Sequence, residues 1–365
     1  MQLKVIPDDY IINAPMYFPM GIVQSDFVIK AIQVKNDMPV PVRIEEINYQ
    51  LNCMGRKIGE FCYKDDALQI LTEEFPNKIQ HCSDWDLNVM IGNDKFWDSS
   101  QLSNSPSLLP GQEIGILNEY FIVLYHLPID ELKITITYDQ EGNHMILRKT
   151  LPVIVYRTKN SYTFPVKGVW QVNGNYDCFG AHRTQYSMEF AFDLGKLDVD
   201  RIHSKDEDYS WYGENIYAIA DGEVVDCFCD ATLRIGFPVD EETDEQILAQ
   251  RNAIIKNYGY MPLQCGNYVI LKHDHEEYSL YGHMIPQSLP VKKGDYVKQG
   301  QMLGKIGNTG KSACPHLHFQ LMNGPDYASF RGLPCHFTNI KDSMGNHLEL
   351  INEEYTIIST NHDLT

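Results

Sequence analysis

Apolar and polar positions in residues 1–158 come in short runs separated by turn residues. Ser25 to Asp37 (SDFVIKAIQVKND) and Pro41 to Asn52 (PVRIEEINYQLN) carry β-branched residues with partial alternation, which predicts strands. Leu109-Pro110-Gly111-Gln112 reads as a turn leading into an apolar strand around Phe121 to Leu124. Glu131 to Asp139 (ELKITITYD), the turn Gln140 to Asn143 and Met145 to Tyr156 form a hairpin pattern. Several strands with turns between them predict an antiparallel β-sandwich of immunoglobulin-like type over 1–158. That segment holds only His81, His126 and His144 of the 13 histidines, so it is expected to be an accessory or binding module.

A second domain, 159–365, is again expected to be all-β, with short strands and glycine turns. Its one departure is Val239 to Met261, where Ile247, Leu248, Ile254 and Ile255 sit among charges at roughly helical spacing. Asp240 to Thr243 offer a cap, and the segment predicts a single short inserted helix. The tail from 345 onward has no clear pattern.

Composition narrows the function classes. The chain has 365 residues, enough for two cores, and no apolar run approaches the ~18 residues of a membrane span. Its formal charge of −19 repels a polyanion, so nucleic acid is not an expected partner. The opening MQLKVIPDDY shows no basic segment followed by an apolar one, so no export signal is visible. Nine cysteines, an odd number scattered through a long chain, suit free thiols in a reducing, cytoplasmic compartment. Cys227 and Cys229 are one residue apart and read as neighbours on one strand face, not as a metal-binding pair.

The chemistry-bearing residues lie in the second domain. Pro315-His316-Leu317-His318-Phe319 reads as the start of a strand, which puts His316 and His318 on one face and Leu317 and Phe319 on the other. Such a pair alone is a weak signal. A second one, His273-Asp274-His275, lies in a charged turn and is expected to face solvent. Asp193 sits in Phe190 to Leu194 among apolar residues, where an unpaired carboxylate would cost several kcal/mol. It either has a compensating cation or sits at the exposed end of its strand. One aspartate and two histidines would make a three-ligand zinc site with a place left for water.

The ordered segments Tyr217-AIADGEVVD, Gly266-NYVILKH, Tyr281-GHM, Val291-KKGDYVKQGQMLGKIGNTGKS and Pro315-HLHF resemble the lysostaphin-type (LytM-like) zinc metallopeptidases over about residues 165–340. The resemblance implies a small antiparallel β-fold with a groove that cuts bacterial cell-wall peptides. It places the metal ligands on His182, Asp193 and His318, and two further catalytic histidines on His283 and His316. It implies that His316 accepts a proton from zinc-activated water and that His283 stabilises an oxyanion or protonates the leaving amine.

Several features depart from the family pattern. The family's histidine and aspartate stand a few residues apart, whereas here the separation is 193 − 182 = 11, leaving His203 as the reserve ligand. Cys314 takes a position that is commonly glycine. The stretch from Cys227 to Gly266 is an insertion that either narrows the cleft or is decorative. These departures keep a second reading open, a non-catalytic groove-bearing binding protein with a structural or empty metal site. A cell-wall substrate would lie outside the cytoplasm, so compartment and oligomeric state stay open.

Overall fold

The computed structural model of the chain describes residues 1–174, 181–196, 205–231, 244–326, 330–351 and 356–359. It divides into two compact units, Met1–Tyr156 and Arg157–Thr365. Among the described residues no helix is long and apolar enough to cross a membrane.

The first unit is a two-sheet β-sandwich. In one sheet Gln2–Ile6 and Met16–Phe18 pair with Ile22–Lys35, whose other edge carries Glu113–Tyr125. The other runs Ile11–Asn13, Asn143–Val155, Glu131–Gln140, Val42–Cys53, Arg56–Lys64, with Ser107–Leu108 added to Val42–Cys53. Period-two alternation makes the core: Leu132, Ile134, Ile136 and Tyr138 point inward while their neighbours are half-buried. They share one apolar cluster with Phe27, Ile29, Val34, Ile114 and Phe121 of the facing sheet. The expected hairpin is present, joining Glu131–Gln140 to Asn143–Val155 through Glu141 and Gly142, both at positive φ (54° and 83°).

The expectation of strands alone in this unit is corrected by two helices, Asp65–Gln80 and Asp84–Ile91. The first buries Leu68, Thr72, Phe75 and Ile79, spaced by three and four residues. The second begins with a reciprocal cap in which Asp86 N donates to Ser83 Oγ at 3.2 Å and Ser83 N donates to Asp86 Oδ2 at 2.8 Å. Phe75 and Ile79 meet Leu87, Ile91 and Trp97 in a satellite core.

The second unit is built on one antiparallel sheet. Its central strands run Gly222–Phe228, Asn267–Lys272, Tyr278–Met284, Leu317–Met322, Phe192–Gly195, Gly168–Gly174. The pairs between them are all antiparallel. One sheet face packs Phe192, Phe319 and Phe337 with ring centroids 5.1–6.0 Å apart. The tail contributes His347–Leu350 and Thr356–Ser359 to the same sheet.

The single inserted helix is corrected to two, Asp244–Tyr258 and Tyr260–Cys265, because Gly259 at φ 81° breaks the run. The expected cap at Asp240 to Thr243 lies outside the described residues. His273 is also corrected. It is 4% exposed, with Nδ1 2.8 Å from Asp221 O and Nε2 2.8 Å from Ser279 Oγ, so it is a core residue whose ring is satisfied within the fold. His275 is exposed as expected.

Candidate functional site

Three adjacent strands of the second unit carry the site. Asp193 and His318 are direct cross-strand partners, and His318 is opposite Gly282 on its other side. A side chain at 282 would meet His318 Cβ at 3.4 Å, so glycine there leaves the imidazole its room. Strict alternation would then turn His283 to the opposite face. Two features prevent it. Gly282 and His283 together oppose Tyr268 in a bulge between the pairs Asn267–Met284 and Val269–Tyr281, and His283 adopts φ 61°. The bulge re-aims the ring into the cleft beside His316 (centroids 4.5 Å apart) and His318 (5.9 Å).

His182 reaches the same place from a short turn, Ala181–Thr184. Its excursion is buttressed by buried Arg183, whose Nε lies 3.6 Å from Glu189 Oε1. His182 Nε2 is 3.0 Å from Asp193 Oδ2, and His318 Nδ1 is 2.9 Å from Asp193 Oδ1. His316 Nε2 lies 3.5 Å from that same oxygen. The structure therefore brings all five sequence-predicted residues together. The reserve residue, His203, lies outside the described residues.

Hydrogen bonds fix which ring nitrogen is free. Gln320 Nε2 donates to Ser187 O at 3.1 Å, so Gln320 Oε1 is the acceptor for His318 Nε2 at 2.9 Å. A neutral His318 then has its lone pair on Nδ1, aimed at a carboxylate oxygen. Two acceptors at 2.9 Å repel unless a second ring proton or a cation supplies positive charge.

His182 Nδ1 is buried and lacks a hydrogen-bond partner among the described residues, which leaves Nε2 to its role against Asp193. The candidate ligand atoms of His182, Asp193 and His318 lie within 4.8 Å of one another. A nitrogen–oxygen–nitrogen donor set around one point, short of positive charge, fits a divalent metal such as zinc. Gly174 completes the cradle. It pairs with Asp193, and a Cβ there would stand 3.0 Å from Asp193 Oδ2.

The other two imidazoles are set by backbone carbonyls. His283 Nδ1 donates to Thr309 O at 2.7 Å and His316 Nδ1 donates to Cys314 O at 2.8 Å, which leaves each Nε2 as a proton acceptor when neutral. Burial, reinforced by His316 and His318 nearby, holds the proton affinity of His283 well below the ordinary imidazole value. Burial also opposes protonation of His316, but the Asp193 carboxylate and the hydrogen bonds to Cys314 together outweigh it and raise the value. Burial alone would raise Asp193, yet His182 and His316 hold its carboxyl well below the usual range.

These side chains line a cleft of about 240 Å³, whose walls also include Gln264, Cys265 and Lys311. The insertion thus reaches the cleft through Gln264 and Cys265, at the end of its second helix. Gln320 was not among the sequence-predicted residues. The period-two rule that paired His316 with His318 also places Gln320 on their face, and that was the available signal.

Residues 232–329 match Peptidase family M23, a span that includes His283, His316 and His318 but neither His182 nor Asp193. The peptidoglycan DD-endopeptidase ShyA of Vibrio cholerae is 36% identical over 93 residues, 26% of this chain and 19% of its own length. Lysostaphin of Staphylococcus simulans is 38% identical over 94 residues, 26% of this chain and 17% of its own length. The solved catalytic domain of the antimicrobial peptidase lysostaphin from Staphylococcus simulans has 22% identity over 48% of this chain and 88% of its own length, with a TM-score of 0.26. The chain spans 19% to 50% of the length of the first two curated relatives it matches.

Proposed function

Given a second unit in which residues 232–329 match Peptidase family M23, we propose that this protein is a zinc-dependent endopeptidase acting on bacterial cell-wall peptides. The observation that carries the reading is the meeting of His182, Asp193 and His318 within 4.8 Å, with two more imidazoles beside them. ShyA is a peptidoglycan DD-endopeptidase, and that relative supports the choice of substrate class. His182, Asp193 and His318 would hold the zinc. Bound there, zinc supplies a Lewis acid that polarises a peptide carbonyl and brings the pKa of water toward neutrality.

The remaining chemistry belongs to the protein itself. His316 Nε2 accepts the proton of the attacking water, because Asp193 raises its proton affinity and Cys314 O keeps Nδ1 occupied. The imidazolium so formed returns that proton to the leaving amine. His283 stays neutral through burial, and its Nε2 accepts a hydrogen bond that orients water or a substrate N–H. The Gln264 side chain on the wall offers hydrogen bonds to an extended peptide backbone.

The test incubates the zinc-loaded full-length protein with purified peptidoglycan and with a pentaglycine peptide, and reads new termini by mass spectrometry. The reading expects defined cleavage products. His316→Ala should cut the rate by about 10²–10⁴-fold, the usual worth of a positioned general base, with zinc still bound. Intact substrates under both conditions would refute it.

A further inference from the structure

The loop Asn308 to Ser312 does more than hold two imidazoles. Thr309 O accepts from His283 Nδ1 at 2.7 Å, and Ser312 Oγ lies 3.2 Å from His316 Nδ1. The loop is pinned on both sides of Lys311. Asn267 N donates to Thr309 Oγ1 at 2.9 Å, Thr309 Oγ1 donates to Met284 O at 2.9 Å, and Lys311 N donates to Gln264 O at 3.2 Å. Gly310, at φ 76°, runs so close to Gly266 that an added Cβ would stand 2.2 Å from Gly266 N. The backbone of Lys311 is therefore pinned beside the site.

Among the described residues that line the cleft, Lys311 is the only lysine or arginine and Asp193 the only acid. Asp193 is engaged by His182 and His318. Among the described residues the Lys311 ammonium forms no ion pair, in a protein with 49 acidic and 30 basic side chains. A lysine on a pinned loop, in a groove whose one acid is already engaged by two imidazoles, attracts an anionic group of whatever occupies the groove.

We propose that Lys311 recognises a carboxylate on the bound peptide, so that the cleft prefers peptides carrying a free carboxylate close to the bond cut over neutral ones. The proposal rests on the endopeptidase reading above. The carboxylate has two sources, the C-terminus of the peptide or an acidic side chain within it, and the cleft chemistry is the same for both.

The experiment measures Kd by fluorescence titration and KM and kcat by product analysis, on the zinc-loaded full-length protein. The probes are the fluorescent peptide Ala-Gly-Gly-Gly-Glu-Ala as free acid, as C-terminal amide, and with Gln in place of Glu. An exposed charge pair predicts Kd and KM about three- to tenfold lower for one acidic form, with kcat little changed. The amide arm and the Gln arm identify which carboxylate matters. Lys311→Met keeps the aliphatic stem and should bring the ratio to about one, and Lys311→Arg should retain it. Equal binding of all three peptides by the unaltered protein, or an unchanged ratio in Lys311→Met, overturns the proposal. Absence of cleavage in every arm would refute the endopeptidase reading instead, and the Kd ratio would still decide the role of Lys311.

Discussion

Replacing Gln320 with Leu tests how the proposed metal ligands are oriented. Gln320 is fully buried and His318 is 3% exposed, and the amide both accepts from His318 Nε2 (2.9 Å) and donates to Ser187 O (3.1 Å). Leucine fills similar space and does neither. Two buried polar groups lose their partner, each costing about 1–3 kcal/mol, so the metal-free fold should lose about 2–6 kcal/mol.

The effect on metal is separate. His318 presents Nδ1 to Asp193 because Nε2–H is engaged, and loss of such outer partners typically weakens metal affinity about 10–100-fold. Gln320→Glu divides the two effects. It keeps an acceptor for His318 Nε2–H but sets a carboxylate against Ser187 O, so zinc affinity should recover while stability does not. Zinc affinity would be measured by competition with a chromophoric chelator near neutral pH, and stability by urea unfolding of the metal-free protein. A Gln320→Leu protein that keeps native circular dichroism and binds zinc within about threefold of the unaltered protein would refute the reasoning.

Three further outcomes follow from the packing. Gly310→Ala forces a Cβ to within 2.2 Å of Gly266 N at φ 76°, so unfolding free energy should fall by more than about 2 kcal/mol, read as a lowered Tm. Phe192→Ala empties a site lined by the rings of Phe164, Phe319 and Phe337 and should cost about 3–5 kcal/mol in urea unfolding. Glu119 has its carboxyl pushed up to about 7 by burial, against the opposing hydrogen bond from Tyr63. The folded state therefore holds a proton that the unfolded state releases near 4.5, and stability falls as pH rises between those values. Glu119→Gln should flatten that fall and stabilise the protein above pH ~7 by up to about 3 kcal/mol, checked by urea titrations at acidic and alkaline pH.

Much of the site was legible because it follows strand geometry. The period of two put His316 and His318 on one face, and both now lie within 3.5 Å of the same Asp193 oxygen. The apolar setting of Asp193 called for either a compensating cation or the exposed end of its strand, and His182 stands against the carboxylate despite the long excursion between them. The placement of His283 was not legible from alternation, which predicts the opposite face. It depends on a bulge and one left-handed backbone angle, set by contacts with Tyr268 and Thr309 far along the sequence. His273 shows the same limit, because one of the groups that satisfy its ring is the carbonyl of Asp221, 52 residues away. The helix Asp65–Gln80 carried a readable three-and-four spacing in Leu68, Thr72, Phe75 and Ile79, overridden by the surrounding strand pattern.

The account depends most on one metal ion shared by residues from two strands and a loop. Zinc content after exhaustive dialysis, measured by atomic emission on the full-length protein and its single variants, tests this most directly. The account predicts about one zinc per molecule, lost in Asp193→Ala and His318→Ala and retained in His283→Ala. A protein that holds no zinc, or an Asp193→Ala variant that holds it as firmly as the unaltered protein, would contradict it.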